Sequence, residues 1–195
     1  MKILKTFFIL VFTTISIISY AQTENKEIEN QFIIFTNDFI NKNYEPYCKK
    51  MNQDFFTKVK KEEFVVMMKT VYDNPMFSIK AEPVIIESIS NVEKISNNYY
   101  VEISYSSNIE FDLNEKLSEE QKEELNQKFL ESFNLLYGKE NVKNLKVGKF
   151  EIVAHKKAIA NSNNKKDWYF LIMEKRYYEF VKDFYPKEII DKYKE

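Results

Sequence analysis

Positions 99–111 alternate between large apolar and polar side chains with hardly an interruption. Successive side chains of a strand point to opposite faces, so this period of two predicts one long strand that buries a single face. Half-buried strands are typical of antiparallel sheets, which pack one face on a core and leave the other to solvent. The rest of the chain must therefore supply a layer that covers this strand. The expected buried face consists of Tyr99, Val101, Ile103, Tyr105, Ile109 and Phe111.

The segment before this strand has helical periodicity. Isoleucine and phenylalanine recur every three or four positions between Ile28 and Phe39, which predicts a first helix with one apolar face. A short second helix is expected over 44–51 and a third over 60–72. Pro75 ends the third helix, because the residue before a proline is pushed out of the helical region. The buried face expected for the third helix consists of Phe64, Met67, Met68 and Val71.

Helix and strand patterns alternate again in the second half of the chain. Ser118 and Gln121 have the spacing of a capping box, so a helix inserted between strands is expected over 118–137. A long mixed segment over 147–160 and a continuously apolar run over 168–173 predict two further strands. The predicted fold class is therefore α+β, with N-terminal helices, an antiparallel sheet and one extra helix between strands.

The C-terminal tail, 177–195, is rich in aromatic residues and is expected to end in a short helix that begins near Pro186. Packing of these aromatic residues against the sheet is the favoured interpretation. An exposed patch for a partner or a carbohydrate is the alternative, because apolar surface patches often mark contact sites.

The N-terminus predicts a secretory signal peptide over residues 1–21. Two lysines give a positive start, positions 7–18 are uncharged and mostly apolar, and small residues lie three positions and one position before the cut. Cleavage is expected between Ala21 and Gln22. An uncleaved membrane anchor is the alternative, but the apolar run is shorter than the about 20 residues that span a bilayer.

Removal of the signal peptide leaves residues 22–195, a length that suits a single α+β domain. We expect this mature chain to be exported, to the periplasm or to the medium, without a membrane span. Cys48 is the only cysteine, so an internal disulfide is excluded. The hydrophobic core alone must then hold the exported domain together.

Composition excludes several classes of protein. The chain has only two glycines, which rules out the Gly-rich loops that bind the phosphates of nucleotide cofactors. Lys and Arg number 29 against 30 Asp and Glu, whereas a nucleic-acid binder normally carries a basic surplus. With one histidine, His155, and one cysteine, neither a metal site nor a catalytic Cys–His pair is expected. We therefore assign no cofactor and no catalytic residue.

Two local features resemble the nuclear transport factor two-like superfamily, also called the cystatin-like cone fold. The strand 167–171, in which Trp168 precedes two aromatic residues, is similar to the late aromatic strand of that family. The tail segment 184–190, Phe-Tyr-Pro-Lys-Glu-Ile-Ile, is similar to an ending of its exported bacterial members. The resemblance covers about 25–112 and 145–175. It implies N-terminal helices packed on a strongly curved, cone-like sheet with a pocket between them; a different α+β sandwich is the alternative.

The superfamily includes enzymes that resemble ketosteroid isomerase, which use a carboxylate or histidine as base and a tyrosine or a protonated acid as donor. For a pocket in this chain, the residues expected to line it are Tyr105, His155 and Trp168. Each has a simpler interpretation. His155 shares a strand face with Lys149 and Lys157, which favours a surface histidine, and Tyr105 is expected in the core.

Three functions remain open from the sequence. The favoured one is an exported, non-catalytic binding module with an apolar pocket or sheet face for a small apolar ligand or a partner protein. The second is an isomerase- or hydrolase-like enzyme on the same fold, which requires a titratable group inside a cavity. The third is a ligand-free structural or interaction protein that forms a homodimer through its sheet.

Overall fold

The computed structural model describes residues 25–174 and 178–193. The predicted signal peptide, 1–21, and its cleavage point between Ala21 and Gln22 lie outside the described residues, so both stay predictions. Within the described part of the chain, no helix is long and apolar enough to cross a membrane.

The α+β class, the N-terminal helices and the helix between strands are confirmed. Before the sheet come α1 over 25–40, α2 over Tyr44–Lys50 and α3 over Lys61–Tyr72. The later helices are α4 over Glu119–Tyr137, α5 over Tyr178–Val181 and α6 over Lys187–Ile190. The strands are β1 Phe77–Ala81, β2 Ile85–Ile89, β3 Glu93–Ile95, β4 Asn98–Leu113, β5 Val142–Lys146, β6 Lys149–Ser162 and β7 Tyr169–Met173.

The sheet is built on one long antiparallel pair, β4 with β6. The three strands β1, β2 and β3 follow one another along the outer edge of β4. Two strands share the outer edge of β6, where β5 pairs over 149–152 and β7 pairs over 157–161. All these pairings are antiparallel, so the central pair is the template on which the five shorter strands assemble.

The expectation of a strongly curved, cone-like sheet is wrong, because the sheet is not strongly curled. Long strands bend sharply where a bulge or a glycine interrupts the ladder. The β4–β6 ladder runs from Tyr99 to Asp112 without a register shift. The shifts that do occur, after Ile86 and after Asn144, lie on the flanking strands β2 and β5. They therefore leave the central pair extended.

Two helical layers cover the same face of the central pair. Tyr105 and Phe111 lie an even number of residues apart on β4, so their side chains point to the same side. Phe32 of α1 packs edge-on against Tyr105 with ring centroids 5.0 Å apart. Phe129 of α4 packs on Phe111 at 4.6 Å. On this face the N-terminal helices and the inserted helix thus pack on two neighbouring hydrophobic clusters.

The C-terminal tail covers part of the opposite face. The ring of Tyr185 lies 6.3 Å from that of Tyr100, whose side chain points away from α1. Ile189 and Ile190 are also buried. This placement agrees with packing of the tail against the sheet rather than with an exposed aromatic patch. Residue 177, with which the predicted tail begins, lies outside the described residues.

Helix α3 buries less than its sequence predicts. Among the four residues expected on its buried face, only Phe64 is buried, at 9% exposed, whereas Met67 and Val71 are 52% and 41% exposed. The ring of Phe64 packs on Phe55 and Phe56, which lie in the turn after α2. The prediction that Met67 and Val71 are buried is therefore wrong. The turn after α2 holds α3 through the ring of Phe64 alone, which leaves these two side chains exposed.

A single buried amide attaches α4 to the turn between β5 and β6. Asn126 is 3% exposed, and its Oδ1 accepts a hydrogen bond from the backbone N–H of Gly148 at 2.8 Å. Gly148 has a φ of 79°, and a Cβ atom at this position would lie 3.0 Å from Leu113 Cβ. The turn therefore needs glycine, and Asn126 satisfies the backbone donor that the turn buries.

We predict that Asn126→Ala lowers the free energy of unfolding by about 2 kcal/mol, because the buried Gly148 N–H loses its acceptor. Urea denaturation followed by circular dichroism measures this change. The neighbouring Gln127 is exposed, so Gln127→Ala is the matched control and should change the free energy by less than about 0.5 kcal/mol. Equal effects of the two substitutions would contradict the assigned role of Asn126.

Candidate functional site

A cleft opens at the outer edge of β6, between the stretches that pair with β5 and with β7. Among the described residues, no strand pairs with positions 153–156 on this side. The cleft has a volume of about 420 Å³ and draws its walls from both faces of the sheet and from the ends of α4 and β7. Its walls include Leu136, Tyr137, His155, Lys156, Met173 and Glu174.

A partly buried ion pair holds this cleft together. Lys156 Nζ lies 2.8 Å from Glu174 Oε1, and the two side chains are only 25% and 23% exposed. Lys156 is opposite Tyr105 in the β4–β6 ladder, so it points to the face that the helices cover. Its ammonium group also lies 5.9 Å from the centre of the Tyr137 ring. The pair thus links β6, the end of β7 and the end of α4.

The charge of Glu174 acts on two tyrosines, Tyr72 and Tyr105. Burial raises the pKa of Tyr105, and the nearby charges of Glu174 and Tyr137 add to the effect. Burial likewise raises the pKa of Tyr72, with further contributions that include Tyr137 and Glu174. These phenols therefore keep their protons at neutral pH and can donate hydrogen bonds.

His155 and Glu87 form the outer rim of the cleft. His155 Nδ1 lies 2.7 Å from Glu87 Oε1, and their side chains are 53% and 38% exposed. His155 is opposite Ser106 in the ladder, so it points away from the helices, whereas Lys156 points toward them. Solvent screens a pair this exposed, which limits its contribution to stability.

Glu102 forms a second ion pair on the same side of the sheet as His155. Its carboxylate lies 2.9 Å from Lys157 Nζ. Burial opposes ionisation of Glu102, but the Lys157 ammonium and the adjacent Tyr193 hydroxyl outweigh burial and lower the pKa of the carboxyl group below its ordinary value. This side of the cleft therefore has its charges neutralised in pairs.

Of the three residues predicted to line a pocket, His155 is the one in the cleft wall. Tyr105 is 3% exposed and packs on Phe32, behind the wall. Trp168 is fully buried just before β7, and its backbone N–H donates to Gln31 Oε1 at 3.2 Å. The structure does not bring the three side chains into one cavity.

No family model, curated protein or solved structure matches this chain. The resemblance to the nuclear transport factor two-like superfamily therefore stays a prediction. The structure supports the coarser part of it, an α+β fold with N-terminal helices and an antiparallel sheet.

The sequence contains one signal that points to this cleft. Every second residue of β6 between Phe150 and Ala160 is apolar except Lys156. A lysine in an apolar set needs a counter-charge when it is buried. Its partner, Glu174, directly follows the apolar strand β7, but only the β6–β7 register brings the two together. Tyr137 lies on a different element and carries no comparable sequence signal.

The chemistry of the cleft rests on its ion pairs and phenols. In the described residues there is no group of three or more His, Cys, Asp or Glu side chains that could hold a metal ion. Cys48 is 1% exposed, and burial raises the pKa of its thiol. A buried and protonated thiol is a poor nucleophile, so Cys48 is suited to packing.

We predict that Lys156→Met lowers the free energy of unfolding by about 2 kcal/mol, because it removes the ammonium group that pairs with Glu174 in a partly buried site. Lys149→Met is the matched control on the same strand, since Lys149 makes a longer and more exposed pair with Asp112, at 3.6 Å. The control should change stability by less than about 1 kcal/mol. Urea denaturation at pH 7 measures the free energy of unfolding of both variants. A larger loss in Lys149→Met than in Lys156→Met would contradict the prediction.

A second prediction concerns the pH dependence of stability. Because the folded-state pKa of Glu102 is lowered, its ionised form stabilises the fold above the unfolded-state pKa, and this contribution is lost as the pH falls through the folded-state pKa. Glu102→Gln should therefore be less stable than wild type above about pH 5, and the difference should shrink below about pH 4. Denaturation midpoints measured across this range test the sign; a gap that widens toward low pH would contradict it.

Proposed function

We propose that this chain is an exported, non-catalytic binding module, and that the cleft at the outer edge of β6 recognises an extended segment of a partner protein. The observation that carries the proposal is the position of the cleft, beside the stretch 153–156 of β6 that lacks a strand neighbour among the described residues. Unpaired strand edges offer backbone donors and acceptors to an added peptide strand.

The flanking strands limit what this edge can bind. β5 and β7 occupy β6 on either side of 153–156, so the stretch without a strand neighbour among the described residues matches about four residues of an added peptide in register. Such a short edge resists the open-ended strand pairing that leads to aggregation. The site is therefore suited to a short extended segment.

The charges of the cleft favour a ligand without a strong net charge. His155, Lys156 and Lys157 each pair with a carboxylate at 2.7–2.9 Å. Paired charges attract a polyanion weakly, whereas main-chain hydrogen bonds need no net charge. The exposed apolar surface of Leu136 in the cleft wall offers a contact for a side chain of the bound segment.

The packing of α1 on the sheet favours a protein partner over a small apolar ligand. Aromatic rings fill this region in direct contact. Phe32 lies 5.3 Å from Phe170, and Phe35 lies 5.2 Å from Phe170 and stacks on Tyr47 at 4.5 Å. A small ligand between the N-terminal helices and the sheet, where the resemblance implies a pocket, would have to displace these rings. It would then lose their close-packed contacts.

Export is part of the same proposal and rests on the N-terminal sequence. The predicted signal peptide, 1–21, with cleavage between Ala21 and Gln22, directs the chain to the periplasm or the medium. Cys48, the only cysteine, is buried and free. The domain therefore relies on its core for stability in an oxidising compartment.

An isomerase-like enzyme is a second candidate, and one observation favours it. The charge of Glu174 contributes to the raised pKa of Tyr72 and of Tyr105, two phenols that burial keeps protonated. A carboxylate base with phenol donors is the arrangement that proton transfer next to a carbonyl group requires. NMR titration of the Glu174 carboxyl group separates the candidates. A pKa above about 6 supports a base, and a pKa below about 5 supports a structural ion pair.

We predict that Leu136→Glu weakens peptide binding at least about tenfold, because it places a charge against an apolar contact in the cleft. Heptapeptides selected from a random phage-displayed library against residues 22–195 serve as the probe, and calorimetry gives the Kd. Leu135→Glu is the matched control, since Leu135 is 87% exposed beside the cleft rather than in its wall. Selection of no peptide, or equal loss in both variants, would refute the proposed site.

A further inference from the structure

β1 forms a free edge of the sheet. It stands at one end of the order β1-β4-β6-β5, and among the described residues it pairs with β4 alone. A free strand edge presents unpaired backbone groups, which makes it a template for another strand. We call the outward side of residues 77–81 the β1 edge.

The register shows which backbone groups the β1 edge presents. In an antiparallel pair, alternate residues of a strand direct their N–H and C=O groups toward the partner strand and away from it. The carbonyl oxygen of Met76 accepts a hydrogen bond from the N–H of Asn114 at 2.8 Å. The N–H of Glu82 donates to Asn108 at 2.9 Å. The even-numbered residues therefore bond to β4, and the odd-numbered ones direct their backbone groups outward. The outward residues are Phe77, Ile79 and Ala81.

We propose that the β1 edge is a self-association surface, at which two copies of this chain pair antiparallel about a two-fold axis through Ile79. In this register Ile79 is opposite Ile79 of the second copy, and Phe77 is opposite Ala81. All the outward N–H and C=O groups then have a partner, and the two sheets become one. The contact lies on the far side of β4 from β6 and does not depend on the function proposed for the cleft.

Two prolines lie symmetrically about this register. Pro75 and Pro83 are each four residues from Ile79, so each proline is opposite the other one in the second copy. A proline has no N–H to donate, so the new ladder ends at both. A shift by two residues would place a proline opposite Phe77 or Ala81 and lose hydrogen bonds. A shift by one residue would oppose outward with inward groups.

The charges on the β1 edge agree with the same register. Lys80 is opposite Ser78 of the second copy, and Glu82 is opposite Met76, so no like charges are directly opposite. A register centred on Lys80 would instead oppose two lysines, which destabilises a strand pair. The chain carries a formal charge of only −1, so long-range repulsion between two copies is weak.

β5, at the other end of the sheet order, offers a poorer edge for self-association. Its pairing with β6 shifts after Asn144, which interrupts the row of outward groups. Lys143 and Lys146 also give this short strand a single sign of charge. A second copy would bring the same positive charge to it, so β1 is the better candidate.

The length of the β1 edge sets the expected affinity. A stable interface usually buries about 800 Å² on each partner, and a five-residue strand offers less. We therefore expect a weak dimer, with a Kd of roughly 10–500 µM. The two prolines keep the contact short, which also limits open-ended strand pairing.

Substitutions of Ser78 test the register with opposite signs. Ser78 is exposed, and each change places a charge directly opposite Lys80 of the second copy, twice in each dimer. Sedimentation equilibrium of residues 22–195 should show that Ser78→Glu tightens the dimer about fivefold and that Ser78→Lys weakens it about fivefold. Ser78→Ala is the neutral control and should keep the Kd within about twofold.

The stability of the monomer separates this effect from a change in folding. Within one chain Ser78 is opposite Asp112, so Ser78→Glu should destabilise the monomer slightly and Ser78→Lys should stabilise it. These signs are the reverse of those expected for the dimer. Thermal unfolding of dilute protein, followed by circular dichroism, measures them.

NMR spectra recorded at increasing protein concentration locate the contact. The amide protons of Phe77, Ile79 and Ala81 should shift downfield, because they gain carbonyl acceptors only in the dimer. Those of Ser78 and Lys80 already bond to β4 and should shift least. Downfield shifts at another edge, such as β5, would overturn the inference.

Two further results would overturn the proposed dimer. One is a wild-type chain that stays monomeric at about 1 mM. The other is an equal effect of Ser78→Glu and Ser78→Lys on the Kd. Leu136→Glu in the cleft should leave the dimer Kd unchanged, so a failure of self-association is distinguishable from a failure of peptide binding.

Discussion

The continuous hydrogen-bonded pairing of β4 with β6 is the constraint on which the rest of the structure depends. Its register runs from Tyr99 to Asp112 without a shift, which makes the face of every residue on both strands predictable. All the shorter strands pair with one of these two. Both helical layers and the C-terminal tail rest on faces that this register defines. A slip of one residue would exchange the core and solvent faces of the whole molecule.

The same register explains why a charged site lies between two hydrophobic clusters. On the helix-covered face, β6 presents Phe150 to the cluster below α4 and Ala158 to the cluster below α1. Lys156 falls between them, where α4 ends and where the pairing of β7 with β6 begins. Glu174 neutralises the lysine at this junction. The cleft thus lies between the part of the sheet that α4 covers and the part that the N-terminal helices cover.

Local sequence patterns were sufficient for the elements but not for the shape of the sheet or the cleft. The alternation over 99–111 predicts β4, and the capping box at Ser118 predicts α4, because both signals are local. Sheet curvature depends on where bulges interrupt the strand pairing, and the burial of α3 depends on which residues the Phe64 ring contacts. Neither property is encoded in a local sequence pattern. Trp168 is a further example. The aromatic residues beside it predict a strand, but its distance from His155 depends on the β6–β7 register, which the local sequence does not give.

The contact of α1 with β7 has a consequence for the order in which the chain can fold. Phe32 packs on Phe170, and Gln31 Nε2 donates to the carbonyl oxygen of Lys166 at 2.7 Å. The first helix therefore completes its core only after the chain has been synthesised past Phe170. Such long-range contacts delay folding, because the intervening loop must close first. The layer of α1 on the sheet is therefore expected to form late, after the strands that lie between α1 and β7 in the sequence have paired.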